Sequence, residues 1–343
     1  MAKNDYILRV IFCGNDSNED EKVLYEGESY LKKNLSDHLK ITESEIRLSF
    51  SRSKKIDMCQ FLYTERSLYR TELQKSLCFY LAVQGEIPDV NRVEISNRKE
   101  CIEIEHSKFS STWKNCRIPI CLDRQSIEVI FSDHESAENI YVMITYFLKA
   151  QLSIFSNDAF RSAWSGLNSI YRLYKNNNNR ESDQLKNFGN KIKELFNNRK
   201  LDSSIEYIES IPDEFYEKLD WYSYVNRYKN YSQYIDSNKY RDSLLLKLFV
   251  KYYKGILKEE ADKINENVNQ VKNSIKENNI SYVERINFLI KDYCYMIRNR
   301  SFHGAKAYPV FVIAPEAETY VEEKLTKLLL YIMKDFIQSD EFI

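Results

Sequence analysis

The sequence predicts an α+β protein, with a mixed α/β domain over residues 1–135 and an all-helical domain over residues 136–343. Three observations support this fold class. Only 7 glycines and 5 prolines occur in 343 residues, which favours long helices over a turn-rich all-β fold. Short β-rich runs are confined to the first domain, and apolar residues at helical spacing dominate afterwards. The 26 tyrosines and 18 phenylalanines supply the apolar surface that two cores need.

Short segments of the first domain are rich in β-branched and aromatic residues, and they predict half-buried strands. These strands are Tyr6–Phe12, Ile46–Ser51, Arg92–Ser96, Cys101–Ser107 and Ser126–Ser132. Two intervening segments, Glu26–Lys40 and Tyr69–Val83, are predicted to be helices. No glycine-rich phosphate-binding loop follows any of the strands. The sequence therefore gives no indication of a nucleotide-binding site in the first domain.

In the second domain, apolar residues recur at spacings of three and four, as on one face of a helix. The first such face comprises Phe160, Trp164, Leu167, Tyr171 and Tyr174. Further helices are predicted over Gln184–Phe196 and Arg241–Ile264. A last helix is expected to begin with Pro315 and to bury Val321, Leu325, Leu328, Leu329, Ile332 and Phe336.

One helix of this domain leads into an unusual group of charged residues. It begins with a capping box formed by Ser281 and Glu284. Its apolar stripe consists of Val283, Ile286, Ile290, Tyr293 and Ile297. Gly304 and Pro309 are typical of the end of a helix and its exit. The residues Arg298, Asn299 and His303 therefore lie at a helix terminus, where side chains can project into open space.

The chemistry of Arg298 and His303 suits cleavage of RNA by its own 2′-hydroxyl group. A guanidinium binds phosphate oxygens with a planar fork, and an imidazole transfers protons near neutral pH. This reaction requires no metal ion. Two residues five positions apart on a regular helix differ by about 140° in direction and about 7.5 Å along the axis. Either the helix breaks before His303, or a second copy of the chain completes the site across a two-fold axis.

The stretch Arg298–His303, "RNRSFH", resembles the Arg-Asn-x-x-x-His form of the signature of HEPN-domain ribonucleases. The resemblance covers residues 136–343 and implies a helical bundle that dimerises. It also implies a metal-independent endoribonuclease without cofactors, in which Arg298 stabilises phosphate, Asn299 is the polar residue that follows it, and His303 is the acid–base. Many members of this family act in defence against phage or in toxin–antitoxin pairs. The resemblance therefore predicts an RNA substrate, a homodimer, and a regulatory protein or phage-derived trigger acting through residues 1–135.

Three further residues near the motif have two possible roles each. Arg300 can hold the RNA backbone or form a surface ion pair. Lys306 and Tyr308 can line a nucleic-acid groove by charge and stacking, or can serve the fold. The alternative for the whole domain is a non-catalytic protein that dimerises or docks a partner and carries a degenerate site.

Composition limits the other classes of function. The formal net charge of −1 provides no overall basic field for coating nucleic acid, although a local basic site is compatible with it. The seven cysteines show no Cys-x-x-Cys spacing, which predicts free, buried thiols in a reducing compartment. The longest apolar stretch, Ile140–Leu148, is shorter than the roughly 20 residues that span a bilayer. We therefore expect a cytoplasmic protein without membrane contact.

Overall fold

A computed structural model describes residues 4–13, 21–32, 35–64, 67–87, 89–104, 120–172, 180–220, 281–302 and 319–339. The chain divides into two compact units, the first comprising Met1–Ile170 with Phe336–Ile343 and the second Tyr171–Asp335. The sequence predicts a domain boundary at residue 135. The last described strand ends at Ile104, and the contacts divide the chain after residue 170. The described residues contain both a sheet and many helices, which confirms the α+β class.

The first unit is built on a six-stranded antiparallel sheet with the order β2-β3-β4-β1-β5-β6. The strands are β1 (Asn4–Phe12), β2 (Val23–Lys32), β3 (Leu35–Thr42), β4 (Glu45–Arg52), β5 (Val90–Asn97) and β6 (Cys101–Ile104). In the centre of the sheet, Leu8 of β1 pairs with Leu48 of β4 and with Ile95 of β5. All three side chains are fully buried, so one face of the sheet forms the core.

Helices of the same unit complete this core. They are α1 (Leu68–Gln84), α2 (Arg124–Ile127, continued by a 3₁₀ turn at Glu128–Phe131), α3 (Ala137–Leu152) and α4 (Ser156–Tyr171). Aromatic pairs join α1 to the strands, with ring centroids 4.9 Å apart for Phe12 and Tyr80 and 4.6 Å apart for Phe50 and Tyr69. Ser67 caps the start of α1, and Gly85 ends it in the left-handed conformation with φ of 80°.

The prediction of a helix over Glu26–Lys40 is wrong, because this segment forms the β2–β3 hairpin. Its strands lack the expected apolar alternation because polar or small residues occupy core positions. The Tyr25 ring covers Gly27, where an added Cβ would lie 3.1 Å from the tyrosine hydroxyl oxygen. Ser29 donates a hydrogen bond to Glu72, and Asp37 pairs with Arg52. These hydrogen bonds offset the free-energy cost of burying polar groups. The sequence pattern alone does not reveal them.

The predicted strand at Ser126–Ser132 is also wrong, because these residues form α2 and the 3₁₀ turn. The Asp123 carboxylate accepts a hydrogen bond from the Ser126 amide at 3.0 Å and so starts a helix. Ile127, Ile130 and Phe131 are then buried at helical spacing. The other four predicted strands and the helix over Tyr69–Val83 are confirmed as far as the described residues extend.

The second unit is helical in its described part. Its elements are α5 (Glu181–Asn197), α6 (Asp202–Ser210), α7 (Asp213–Glu217), α8 (Tyr282–Phe288), a π turn (Leu289–Cys294), α9 (Tyr295–Phe302) and α10 (Tyr320–Gln338), whose last residues belong to the first unit. The predicted helix over Gln184–Phe196 is confirmed within α5. The predicted helix Arg241–Ile264 and the predicted helix start at Pro315 lie outside the described residues.

A buried carboxylate connects the last helix to α6. Asp335 of α10 accepts hydrogen bonds from the amides of Ser203 and Ser204, at 3.2 and 2.7 Å, and from the Ser204 hydroxyl. These amides are among the unpaired donors at the start of α6, so Asp335 acts as a cap from a distant helix. Burial raises the pKa of Asp335, although the hydrogen bonds from Ser204 and Ser203 oppose that shift.

The cysteines are less buried than the sequence predicts. Of the six described, Cys294 is buried and Cys78 is intermediate, whereas Cys13, Cys59, Cys101 and Cys121 are exposed, and all six are free thiols. Burial raises the pKa of the Cys78 thiol to about 11. No helix among the described residues is long and apolar enough to cross a bilayer.

Helix α5 ends in a Schellman motif that places a non-glycine residue in the left-handed region. The Arg199 amide bonds the Phe196 carbonyl at 3.1 Å, and the Lys200 amide bonds the Leu195 carbonyl at 2.9 Å. Arg199 has φ of 55°, a conformation that is unfavourable for a residue with a Cβ.

We predict that Arg199→Gly raises the free energy of unfolding by about 0.5–1 kcal/mol, because glycine adopts this conformation without strain. Urea unfolding followed by circular dichroism measures the change. Arg199→Ala serves as the control, since it removes the same charge but keeps the Cβ. Equal stability of the Gly and Ala variants would contradict the assignment of strain to this residue.

Candidate functional site

The helix that carries the sequence motif runs without interruption from Tyr282 to Phe302 through α8, the π turn and α9. The predicted capping box at its start is confirmed. The Ser281 amide donates to the Glu284 carboxylate at 2.9 Å, and the Glu284 amide donates to the Ser281 hydroxyl oxygen at 3.4 Å. The start of the motif helix is therefore determined by local sequence.

The predicted apolar stripe of this helix lies in the core, with Ile286, Ile290, Tyr293 and Ile297 buried and Val283 half-buried. The π turn at Leu289–Cys294 adds residues to one turn and so changes the direction of the side chains that follow. Cys294 and Met296 are buried as well, and Cys294 packs as a small apolar residue as predicted. Beyond the π turn the helix is regular to Phe302, which leaves no break between Arg298 and Phe302.

Arg298 is half-buried and held by two acceptors. Its Nη1 donates to Oε2 of Glu181 at 3.2 Å and to Oδ1 of Asn299 at 2.8 Å. The side chains of Arg298 and Glu181 are 22% and 28% exposed, so this ion pair is only partly screened by water. Asn299, the polar residue after the arginine in the motif, therefore orients the guanidinium directly.

Glu181 is itself fixed by a buried tyrosine. The Tyr171 hydroxyl, at the end of α4, donates to Oε1 of Glu181 at 2.6 Å. Tyr171 is fully buried, and burial together with the adjacent carboxylate raises its pKa well above the ordinary value. Glu181 is the first residue of α5, where the helix dipole favours a negative charge. Tyr171, Glu181 and Arg298 thus form a continuous chain of hydrogen bonds.

Arg300 points to a different acid. Its Nη1 donates to Oδ2 of Asp220 at 2.7 Å, and the Asp220 amide donates to the hydroxyl oxygen of Tyr293 at 2.7 Å. The Arg300 side chain is 33% exposed, and that of Asp220 is 47% exposed. Arg300 therefore forms a surface ion pair, one of the two roles that the sequence left open.

Close packing at one glycine determines how α5 crosses the motif helix. A Cβ at Gly189 would lie 2.6 Å from Cδ of Lys291 and 2.7 Å from Oδ1 of Asn287. Real side chains do not approach so closely, so only glycine allows Lys291 and Asn287 to lie against α5 in this way. The same two helices also contact each other through Glu181 of α5 and Arg298 of the motif helix.

The structure places only part of the predicted site. Arg298, Asn299 and Arg300 lie together on α9, whereas His303, Lys306 and Tyr308 lie outside the described residues. Sequence reasoning missed Glu181 and Asp220, which are 117 and 80 residues away from their arginine partners. Tyr171 was predicted as part of the apolar stripe of α4, and the stripe is indeed buried from Phe160 to Tyr171. Nothing in the stripe indicates that its hydroxyl binds Glu181.

Among the described residues, no group of three or more His, Cys, Asp or Glu side chains could hold a metal ion. Comparisons of the chain with models of protein families, with curated proteins and with solved structures found no match.

We predict that the Tyr171–Glu181 hydrogen bond stabilises the fold and couples the two residues. Tyr171→Phe should lower the free energy of unfolding by about 1.5–3 kcal/mol, because a bond to a charged acceptor is lost. Combined with Glu181→Gln, the double variant should be about 1 kcal/mol more stable than the sum of the single effects predicts. Urea unfolding of the four proteins provides the measurement.

Tyr207→Phe is the matched control for this cycle, since the Tyr207 hydroxyl donates to the backbone carbonyl of Lys324 at 3.0 Å. Its effect should simply add to that of Glu181→Gln. If Tyr171 and Tyr207 show the same coupling to Glu181, the hydrogen bond at Glu181 is not the cause.

We further predict that Gly189→Leu lowers the free energy of unfolding by about 1–3 kcal/mol, because the new side chain forces α5 away from Asn287 and Lys291. Asn190→Leu introduces the same side chain at the next, exposed position and should change stability by about 0.5 kcal/mol or less. Thermal unfolding of both variants tests this, and equal melting temperatures would contradict the close crossing.

Proposed function

We propose that the helical domain is a metal-independent endoribonuclease of the HEPN type, acting as a homodimer. The main support for this proposal is the orientation and exposure of the Arg298 guanidinium. Arg298 is the first residue of the Arg-Asn-x-x-x-His motif. Its guanidinium is oriented by Glu181 and Asn299 and is still 22% exposed. An arginine that is fixed and accessible at once suits the recognition of a phosphodiester.

In the proposed reaction, the 2′-hydroxyl oxygen of RNA attacks the adjacent phosphorus, and the bond from phosphorus to the 5′-oxygen breaks. The products are a 2′,3′-cyclic phosphate and a 5′-hydroxyl. Arg298 stabilises the charge that develops on the phosphate oxygens, and His303 transfers a proton at the attacking or the leaving oxygen. Asn299 keeps the guanidinium in the orientation that receives the phosphate.

The dimer is part of the proposal because of the helix geometry. The described helix is regular through Phe302, and on a helix that continued in this way Arg298 and the residue five places later would differ by about 140° in direction. A two-fold axis close to Arg298 would place the arginine of one protomer beside the histidine of its partner. The first unit, with its separate sheet and core, would then sense a regulatory protein or a phage-derived trigger in a defence or toxin system.

The second candidate function is a non-catalytic dimerisation or partner-docking domain. Both arginines on α9 are engaged in ion pairs, with Glu181 and Asp220, which is equally suited to a structural role. The two functions differ in what happens when Arg298 is removed. Removal of Arg298 would abolish RNA cleavage by a nuclease, whereas a docking domain has no such activity to lose.

We predict that the protein cleaves a pool of total RNA in the presence of EDTA and leaves 2′,3′-cyclic phosphate and 5′-hydroxyl ends. Arg298→Ala should slow cleavage by about 10²–10³-fold, because one charge-stabilising donor is lost. His303→Ala should slow it by about 10²–10⁴-fold, through the loss of proton transfer. Gel analysis of the RNA and enzymatic mapping of its ends measure both effects.

Arg92→Ala is the control for charge, since Arg92 is an exposed arginine of the first unit paired with Glu94. It should cleave like the parent protein. Full activity of both Arg298→Ala and His303→Ala, with the fold intact by circular dichroism, would exclude the proposed site. Absence of cleavage by every protein would instead support the docking domain.

A further inference from the structure

The helical unit also contains a surface groove, which Arg298, Asn299 and Arg300 do not line. A groove of about 610 Å³ lies between the end of α5 and the outer side of α6. Phe196, Leu201 and Ile205 contribute its apolar surface. Phe196 is 36% exposed and is one of four large apolar side chains that are exposed in the described part of the chain. An exposed aromatic ring within a concave surface is typical of a site that a partner covers.

The charged residues of the groove are mostly acidic. Asp202, Glu206 and Glu209 line it from α6, and among the described residues of the lining Arg199 is the one cation. The three acids occupy positions i, i+4 and i+7, so they form a row along one side of the helix, about 10 Å long. Asp202 and Glu206 form no ion pair with another described residue, while Glu209 accepts a hydrogen bond from Tyr282 at 3.0 Å. The groove therefore presents a negative edge beside an apolar floor.

We propose that this groove binds a basic amphipathic helix of a partner protein. The acidic row repels phosphate, which argues against RNA as the occupant. Lysine or arginine residues spaced by four and three on a helix lying along α6 would each face one carboxylate. An apolar residue on the same face would enter the groove and cover Phe196, as in other helix-in-groove complexes. This proposal is independent of the reaction at Arg298.

The left-handed turn at Arg199 connects the two helices that line the groove. The turn ends α5 at Asn197 and lets α6 begin at Asp202, so that Phe196 and Ile205 contribute to the same concave surface. Because the turn is fixed by two backbone hydrogen bonds, the groove exists before any partner binds. A preformed groove reduces the entropic cost of binding a helix.

The test uses the full-length protein and a fluorescein-labelled amphipathic peptide of about 15 residues, made of lysine, leucine and alanine so that it forms a helix. Fluorescence anisotropy at low and at physiological salt gives the dissociation constant. Glu206→Lys should weaken binding by about tenfold, through loss of attraction and added repulsion. Phe196→Ala should weaken it by about fivefold without any change of net charge.

Glu214→Lys is the matched control, since Glu214 is an exposed acid on the neighbouring α7 and its replacement changes the net charge equally. It should alter binding by less than about twofold. Equal weakening by Glu206→Lys and Glu214→Lys, or no effect of Phe196→Ala, would reduce the interaction to general charge attraction and overturn the proposal. A peptide that does not bind the parent protein would also overturn it.

Sedimentation of the parent, Glu206→Lys and Phe196→Ala proteins completes the test. Dissociation of a dimer by either variant would assign the groove to a second copy of this chain.

Discussion

The carboxylate of Glu181 is the group on which the candidate site depends. One oxygen accepts the hydrogen bond of the buried Tyr171 and the other contacts Arg298, which is 117 residues away in sequence. The tyrosine is unable to move because it lies in the core, so it fixes the carboxylate, and the carboxylate in turn fixes the guanidinium. An exposed pair of this kind would contribute little, whereas a pair held by a buried donor defines a geometry.

This arrangement requires α5 and the motif helix to approach closely, and the sequence provides the means at two points. Gly189 removes the side chain where Lys291 and Asn287 lie against α5. The π turn at Leu289–Cys294 includes Lys291 of this contact and changes the direction of the residues that follow. Beyond it Ile297 is buried, while Arg298 is partly exposed. A larger residue at Gly189 would have to displace the side chains of Lys291 and Asn287.

Local features of the chain were predictable, and distant pairings were not. The Ser281–Glu284 capping box and the buried stripe of the motif helix follow from residues three and four apart, so sequence alone predicts them. The β2–β3 hairpin was missed because Ser29 and Asp37 occupy core positions, where they are paired with residues of α1 and β4. Glu181 and Asp220 were missed for the same reason, since their roles depend on partners brought together only by the fold.

The ion pair between Arg298 and Glu181 also affects how a phosphate could bind. A carboxylate 3.2 Å from the guanidinium lowers the positive field that an approaching anion encounters. The pair therefore weakens the attraction between Arg298 and a bound phosphate, but it removes the entropic cost of ordering a long side chain when RNA arrives. Catalysis depends on stabilising the transition state. An arginine that is already in position therefore accelerates the reaction more than one that binds the ground state tightly. In the proposed nuclease, the acid beside the arginine would thus favour catalysis over affinity.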